Sequence, residues 1–570
     1  MKVAVIGGGT AGLTTLKFLS TAHNYFDIQP IEAHLFEAEA DIGGTFLYRV
    51  YEDAELVSSK YLTAFSDFRL PADSPDFVTP QQYVTYLKRY VEEFKLQDRI
   101  ICNARVKSIQ RKANGAGHVV IVDNHADEST IWHFDAVAIC TGIHVTPNIP
   151  HVPGLEKVPL VLHSSQLKRR EQFGVNTHVV VMGAGETGMD IAHLAVTSQT
   201  ASVTMCHREG FFCAPKRSQL LWFAYDQWVK KMHWLISGTE EGPDQWVGQM
   251  SKARKHLDSI FLVKSDRALP YLSAGQRSTS RWNRLRSALL NVPIKDTNGR
   301  KIDVKPWPDH VDADGTFRFS DNSSCKVDLR PDVVVMATGY STDFSILDSS
   351  YPRLQDTNIR GVYNEDDITV GFIGFVRPSI GAIPPLAEMQ AQFWVLRLLQ
   401  HKYPVQIPQC AGKDAVESYE LDYKLHPRAG YDLFTNKRAV DHESYAYQLA
   451  LDMGAAPRIS YVMRKGWKIF FTWAMGSNFN PKFRLVGPWR DERRATEIMR
   501  GELYNVVKRS GGLMYLLTYT IIPLIFFGSI SMSLYAISAV VAVPRKAQAF
   551  CAAIIRGEKT KNKNIKESLA

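Results

Sequence analysis

VAVIGGGTAGLTTLKFL at positions 3–19 and VVVMGAGETGMDIAHLA at positions 179–195 decide the fold. Each is a short apolar run that reads as a buried strand, ends in a glycine-rich turn and opens a helical pattern. One such turn is weak evidence, because glycine also closes ordinary strand–helix corners. Two in this context specify an α/β chain with two Rossmann-like dinucleotide-binding folds.

In the first turn Gly7, Gly9 and Gly12 serve the tight turn, the approach of backbone to a pyrophosphate and the packing of helix on strand. The helix N-terminus then faces the anion. Glu37 ends the next apolar run, IEAHLFE, where a carboxylate accepts hydrogen bonds from an unphosphorylated ribose diol. In the second turn the set is Gly183, Gly185 and Gly188, and the following run, ASVTMCHREG, ends in His207 and Arg208 with no acid at the ribose position. A cation there suits a 2′-phosphate. The expectation is FAD at the first turn and NADPH at the second.

The 570 residues suffice for two to four domains, and 45% apolar with 22% charged residues is a globular composition. The net charge of +9 is concentrated at the end, since residues 544–570 hold seven Lys/Arg against Glu558 and Glu567. Without an interleaved basic and aromatic motif, this excess points to a membrane surface rather than nucleic acid. The seven cysteines form no C-x-x-C pair, which excludes a dithiol reductase and a structural zinc site. No metal is expected.

Met1 and Lys2 lead directly into the first strand, so no signal peptide is read and the catalytic body is expected in the cytosol. Residues 513–543 contain no charge. As a helix they would reach about 46 Å, more than the roughly 30 Å hydrocarbon core, and read as a membrane segment. Both flanks are basic, so a re-entrant segment bent at Pro523 and Gly528 stands beside a single tilted span. Upstream, YVMRKGWKIFFTWAM (461–475) reads either as an interfacial stretch or as a core-facing helix with a basic outer face.

Between these landmarks YVTYLKRYVEEFKL (83–96) reads as a helix and HVVIVD (118–123) as a strand. FDAVAICTG (134–142) and RPDVVVMATGY (330–340) read as buried strands whose Thr-Gly turns bring backbone close to a cofactor. PGLEKVPLVLH (153–163) reads as a linker. The resulting plan is a first FAD-binding part at 1–155, an NADPH-binding part with an insertion at 156–329, and a return to the FAD fold with substrate-side elements at 330–455. An amphipathic membrane-proximal region (456–512), the hydrophobic segment (513–543) and a basic tail (544–570) follow.

The order of GGGTAG, GGTF (43–46), SSKYLTAFSDFRLP (58–71), CTG (140–142), GAGETG (183–188), ATGYSTDF (337–344) and FVRPSIGAIPPLAEMQAQF (375–393) resembles the flavin-containing monooxygenases over nearly the whole chain. The resemblance implies hydride transfer from NADPH to FAD, uptake of O2 as a C4a-hydroperoxyflavin, and oxygen transfer to a nucleophilic nitrogen or sulfur of a lipophilic small molecule. It implies that Gly7, Gly9, Gly12, Glu37, Thr45 and Phe46 hold FAD, and that Gly183, Gly185, Thr187, Gly188 and Arg208 hold NADPH. Thr141 and Thr338 would line the crevice between them, while Asp343 would be structural. A membrane-attached enzyme, at the endoplasmic reticulum, with lipid, O2 and substrate as partners and an oligomer allowed, completes that picture.

The chain departs from the family pattern at two places. The usual F-x-G-x-x-x-H-x-x-x-[YF] fingerprint reads KVPLVLHSSQL, which keeps His163 but has Lys157, Pro159 and Leu167 at the other fixed positions. The asparagine expected three residues before Lys60 is Val57, which cannot hydrogen-bond, leaving Ser58 or Ser59 as substitutes. A Baeyer–Villiger enzyme or an uncoupled NADPH oxidase is therefore one alternative. A redox-sensing or interaction flavoprotein that has lost oxygenation is another.

Overall fold

Valine and isoleucine runs form parallel strands when both faces of their sheet are covered. Among the described residues there are two such sheets, each with helix on one face and β structure on the other, the meander 104–134 on the first and the hairpin at 310–318 on the second. The computed structural model describes residues 1–509 except 113–114, 116, 125–128, 209–211, 214–261, 264–266, 274–294, 320–328, 379–380, 408–411, 425–438 and 477–478, with a few isolated positions beyond 509.

The first sheet is built from β1 (Lys2–Ile6), β2 (Glu32–Phe36), β3 (Ile100–Ile101), β7 (Ala136–Ile139) and β15 (Val370–Phe372). Its order is β15-β7-β1-β2-β3, with every pair parallel. An antiparallel meander of β4 (Ala104–Arg111), β5 (His118–Asn124) and β6 (Ser129–Phe134) lies between β3 and β7 in the chain. Helix α1 (Thr10–Thr21) follows the first glycine turn. The short α2 (Thr45–Tyr48) and α3 (Lys60–Thr63) come next. Helix α4 (Pro80–Glu93) starts at 80 rather than the expected 83, because Thr79 and Gln82 close a reciprocal capping box ahead of Pro80.

The second sheet is built from β9 (Leu160–His163), β10 (His178–Met182), β11 (Ser202–His207), β12 (Ile302–Pro306) and β13 (Val333–Met336), in the order β12-β11-β10-β13-β9 and again parallel throughout. Helix α5 (Glu186–Val196) follows its glycine turn. The stretch read as a linker, 153–163, is corrected here: it ends in the edge strand β9, paired in register with β13 from Leu160↔Val333 to His163↔Met336. A run this short behind Pro159 does not reveal a strand by periodicity.

The chain crosses between the sheets twice, and the two crossings pair antiparallel as β8 (Thr146–Pro147) with β14 (Tyr340–Ser341). The long helix α6 (Ile383–Lys402) returns to the first sheet and packs on α1, with Pro384 and Pro385 in its first turn. It is buried nearly all round, as a central helix must be when apolar residues cover every face. Helix α7 (His442–Asp452) packs against it.

The stretch 461–475 is divided into α8 (Ile459–Arg464) and α9 (Trp467–Met475), separated by Gly466 at φ +104°. Helices α10 (Glu492–Ile498) and α11 (Tyr504–Arg509) end the described body. Among the described residues no helix is long and apolar enough to cross a membrane. Nearly all of 513–543, the expected membrane segment, lies outside those residues.

Candidate dinucleotide sites

Each turn is fixed by backbone contacts that exclude a side chain. Gly7 has φ +111°, and a Cβ there would lie 2.7 Å from the Cys140 carbonyl oxygen. A Cβ on Gly12 would lie 1.8 Å from the Gly7 carbonyl oxygen, so α1 can leave the turn at this distance from β1 only through glycine. Gly9, by contrast, has only the Gly44 Cα within 4 Å of its Cβ position, at 3.9 Å. That is the open face a pyrophosphate needs. Gly43 donates its N–H to the Gly8 carbonyl (3.0 Å), placing Thr45 and Phe46 of α2 beside the turn. Phe46 is held edge-on against Tyr83 of α4 at 4.6 Å.

Glu37 folds over this turn. One carboxylate oxygen accepts the Gly8 N–H at 2.5 Å and the other accepts the Glu39 N–H at 2.9 Å. The residue is only 7% exposed. Burial raises its pKa, opposed by those two N–H groups. The carboxylate thus sits at the end of β2, beside the turn, as a ribose acceptor must.

The second turn repeats the geometry. Gly183 has φ +115° and its Cβ would meet the Ala337 carbonyl oxygen at 2.5 Å; the Cβ of Gly188 would meet the Gly183 carbonyl oxygen at 2.0 Å. Gly185 takes the N-cap position of α5 and Thr187 is the second residue of that helix, half-buried. Arg208, just beyond β11, is exposed, and its guanidinium stacks on Trp307 at 4.6 Å. That contact orients the cation, and among the described residues no carboxylate pairs with it, which suits an anionic ligand.

The two Thr-Gly turns lie at the ends of β7 and β13. Thr141 sits against Gly7, and the Thr338 amide nitrogen lies 3.7 Å from the Cβ position of Gly183. Both threonines are half-buried. Thr338 donates its hydroxyl to the Asn148 carbonyl, tying the two crossings together. His163 joins the same tie, with Nε2 3.0 Å from the Gly339 carbonyl oxygen and Nδ1 2.9 Å from Ser165 Oγ. Burial lowers its pKa, and both ring nitrogens are engaged. Asp343 closes an Asx turn onto Ser345.

A second set of contacts, which sequence reasoning did not find, joins the sheets on the segment after α2. Tyr51 donates its hydroxyl to Asp190 of α5 at 2.9 Å, and burial raises the phenol pKa well above its ordinary value. Around it Arg170 pairs with Glu52 and Asp53, and Arg267 pairs with Glu55. No spacing rule links residue 51 to residue 190.

At the expected asparagine position Val57 is half-buried and offers no donor. Ser58 Oγ is engaged with Thr63 Oγ1 at 2.8 Å, and Thr63 also donates to the Ser59 carbonyl at 3.0 Å. Ser59 is buried at the head of α3, where its side chain makes no cap bond. Of the two candidate substitutes, Ser58 is committed locally. Lys60 beside them is 3% exposed, its ammonium donating to the carbonyls of Pro71, Ala72 and Ser74 at 2.6–3.1 Å.

Behind α1 lies a buried charge cluster. Lys17 contacts Asp67 at 2.7 Å, and Arg484 contacts the same carboxylate at 3.3 Å. Asp67 is held down to about 2; burial opposes this, and the two cations overcome it. Glu388 of α6 accepts the Ser66 N–H and hydroxyl, and burial pushes it up to about 7.

A family model described as flavin-binding monooxygenase-like matches residues 1–231 and 305–509. The chain belongs to that family. The monooxygenase is 44% identical to monooxygenase cfoE of Aspergillus candidus over 94% of this chain and 98% of the relative. It is 26% identical to dimethylaniline monooxygenase [N-oxide-forming] 2 of Pan troglodytes over 89% and 93%. Its fold is similar to the solved structure of S-allyl-L-cysteine S-oxygenase from Allium sativum, with a TM-score of 0.52 and 15% identity, covering 88% and 98% of the two chains. It is an FAD- and NADPH-dependent monooxygenase.

The residues present fit those cofactors. In the monooxygenase the Cβ positions of Gly142 and Gly339 meet nothing within 4 Å, and both residues have positive φ, +82° and +81°. Each sheet therefore carries an open glycine beside its phosphate turn.

Proposed function

We propose that this monooxygenase oxygenates a nucleophilic nitrogen or sulfur atom of a lipophilic small molecule. Its cytosolic body would be held to a membrane, the endoplasmic reticulum, through 513–543. The observation that carries the cofactor assignment is the repeated turn with opposite ribose ends, Glu37 at one and Arg208 at the other. Bound FAD supplies the hydride acceptance and O2 activation that no side chain can. The chain's residues bind and orient: backbone N–H groups of the turns face the pyrophosphates, Glu37 takes the ribose diol of FAD, and Arg208 takes the 2′-phosphate of NADPH. The Tyr51–Asp190 bond fixes α5, and so the nicotinamide donor, relative to the first sheet.

The choice of nitrogen or sulfur is supported by the names of two similar proteins, an N-oxide-forming enzyme and an S-oxygenase. The uncharged run 513–543 supports the lipophilic substrate and the membrane. A second reading, a Baeyer–Villiger enzyme or an uncoupled NADPH oxidase, is favoured by Val57 together with the engaged Ser58.

The test is to purify the enzyme in detergent and follow NADPH, O2 and peroxide together over a panel of amines, thioethers and ketones. Oxygenated amine or thioether with little peroxide supports the first reading. Ester from ketones, or stoichiometric peroxide across the panel, supports the second. Absence of flavin reduction by NADPH overturns both.

A further inference from the structure

The outer face of α8 and α9 carries side chains that a water-facing surface does not normally present. Met463 is 60% and Trp467 65% exposed, while Ile469, Thr472 and Trp473 of the same helices are buried. The spacing explains the division: 469, 472 and 473 form the inward stripe of α9, 467 and 468 are exposed, and Phe471 is half-buried beside Trp467 at helical spacing. Tyr504 of α11 extends the outward patch, meeting Trp467 edge-on at 5.3 Å and Phe471 at 6.4 Å. Gly466, at φ +104° with nothing within 4 Å of its Cβ position, makes the break that brings Met463 and Trp467 to the corner between α8 and α9.

Lysine and arginine border this apolar corner. Lys468 lies 5.3 Å from the Tyr504 ring and 5.9 Å from the Trp467 ring. Residues 458–509 as a whole hold twelve Lys/Arg against four Asp/Glu. Some are used internally, since Lys465 pairs with Glu492 and Arg464 with Asp414 at 3.1 Å. Lys468 and Arg500 are exposed. Shortly after Arg509, the end of α11, the chain enters the uncharged run at 513.

We propose that this face is a docking surface for an anionic lipid bilayer, with Trp467, Met463 and Phe471 entering the headgroup boundary and Lys468 and Arg500 meeting lipid phosphates. Exposed tryptophan ringed by lysine and arginine is the composition of a side-lying interfacial element. The sequence position of the uncharged run favours lipid over protein as the occupant, because any membrane segment there begins a short way along the chain from Tyr504 of the patch. The inference rests on the membrane attachment proposed above, and its role is distinct: 513–543 would tether, whereas α8 and α9 would orient the body.

The experiment uses the full-length holoenzyme in vesicles containing a phosphatidylserine that carries a photoactivatable carbene precursor on its acyl chain, followed by peptide mapping of the adducts. Adducts on 459–475 as well as 513–543 are expected, with peptides around Val405, an 89% exposed residue elsewhere, unlabelled. Lys468→Glu is expected to cut the 459–475 yield roughly fivefold. Met463→Ser/Trp467→Ser is expected to abolish it while flavin content and NADPH-driven flavin reduction are unchanged. Adducts confined to 513–543 overturn the docking surface and leave the tether standing. Adducts on 459–475 alone keep the surface and overturn the tether, and adducts on neither overturn both.

Discussion

The two phosphate turns of this chain are the same object in backbone and different objects in side chains. Aligned on their glycines, Gly7 falls on Gly183, Gly12 on Gly188, Thr14 on Asp190 and Lys17 on His193. The N–H groups of Gly7 and Gly183 donate to the carbonyls of Phe36 and Cys206, near the ends of β2 and β11, both at 2.8 Å. Gly9 and Gly185, the N-caps of α1 and α5, share the same extended backbone. What differs is the surroundings. Gly8 is where Glu37 folds in, and a Cβ there would come within 2.8 Å of the carboxylate; its counterpart is Ala184, and the strand-end position that matches Glu37 is His207. On the helices, α1 buries a charged lysine between Asp67 and aromatic rings, whereas α5 buries His193, whose pKa burial lowers to about 4 and which is therefore neutral. The shared backbone fits the dinucleotide binding proposed for both turns, and in that reading the choice of dinucleotide is set by the layer around each.

The most severe way to break this symmetry is Gly12→Ala against Gly188→Ala. With Cβ positions 1.8 and 2.0 Å from a backbone oxygen, neither turn can stay closed. Gly12→Ala should yield flavin-free protein, while Gly188→Ala should retain flavin that NADPH no longer reduces, as read by flavin absorbance before and after anaerobic NADPH. Next, Asp67→Asn leaves Lys17 and Arg484 buried without their carboxylate and should cost about 3–5 kcal/mol in denaturant unfolding. Arg208→Gln should raise KM for NADPH about 10- to 100-fold and leave that for NADH nearly unchanged, from loss of a charge-assisted phosphate contact.

Acid separates the two helices. His193 has its folded pKa below the usual 6.5, so the stability it contributes is present above pH 6.5 and lost as pH falls toward 4. Asp67 is also depressed, from 3.8 to about 2, so its contribution is present above pH 4 and lost only below that. His193→Gln should therefore flatten the melting temperature between pH 6.5 and 4 by the equivalent of on the order of 1–3 kcal/mol. His118, lowered to about 4 by burial, shares that window and keeps part of the slope. The smallest effect is expected for Ala184→Gly, about 0.5–1 kcal/mol from backbone entropy alone, against a loss of FAD affinity for Gly8→Ala. If Ala184→Gly changed NADPH binding strongly, the second turn would have a hidden constraint of its own.

Strands and turns were legible because their signal is local. A valine run, a glycine at a set offset and the residue at the next strand's end are read within one strand–helix–strand unit. That reading reached both sheets, both turns, and the places of Glu37 and Arg208 at strand ends. The Thr79–Gln82 capping box was visible too, and reading it would have moved the start of α4 from 83 to 80. The charge cluster was not legible, since Lys17, Asp67 and Arg484 lie far apart in the chain and each alone reads as a surface charge. Tyr51 and Asp190 escaped for the same reason, because only tertiary packing brings them together. The residues of β9 were hidden by their brevity, and their strand character depends on β13, which arrives only after the rest of the second sheet.

The pairing of β8 with β14 makes the segment from 148 to 339 an insert whose two ends lie side by side. Such a segment can be exchanged as a unit where its partners outside it at Tyr51 to Glu55 keep their counterparts. The coenzyme contact proposed at Arg208 lies on this segment, and a graft cut at Pro147 and Tyr340 would carry Arg208 and its whole sheet as one inheritable block.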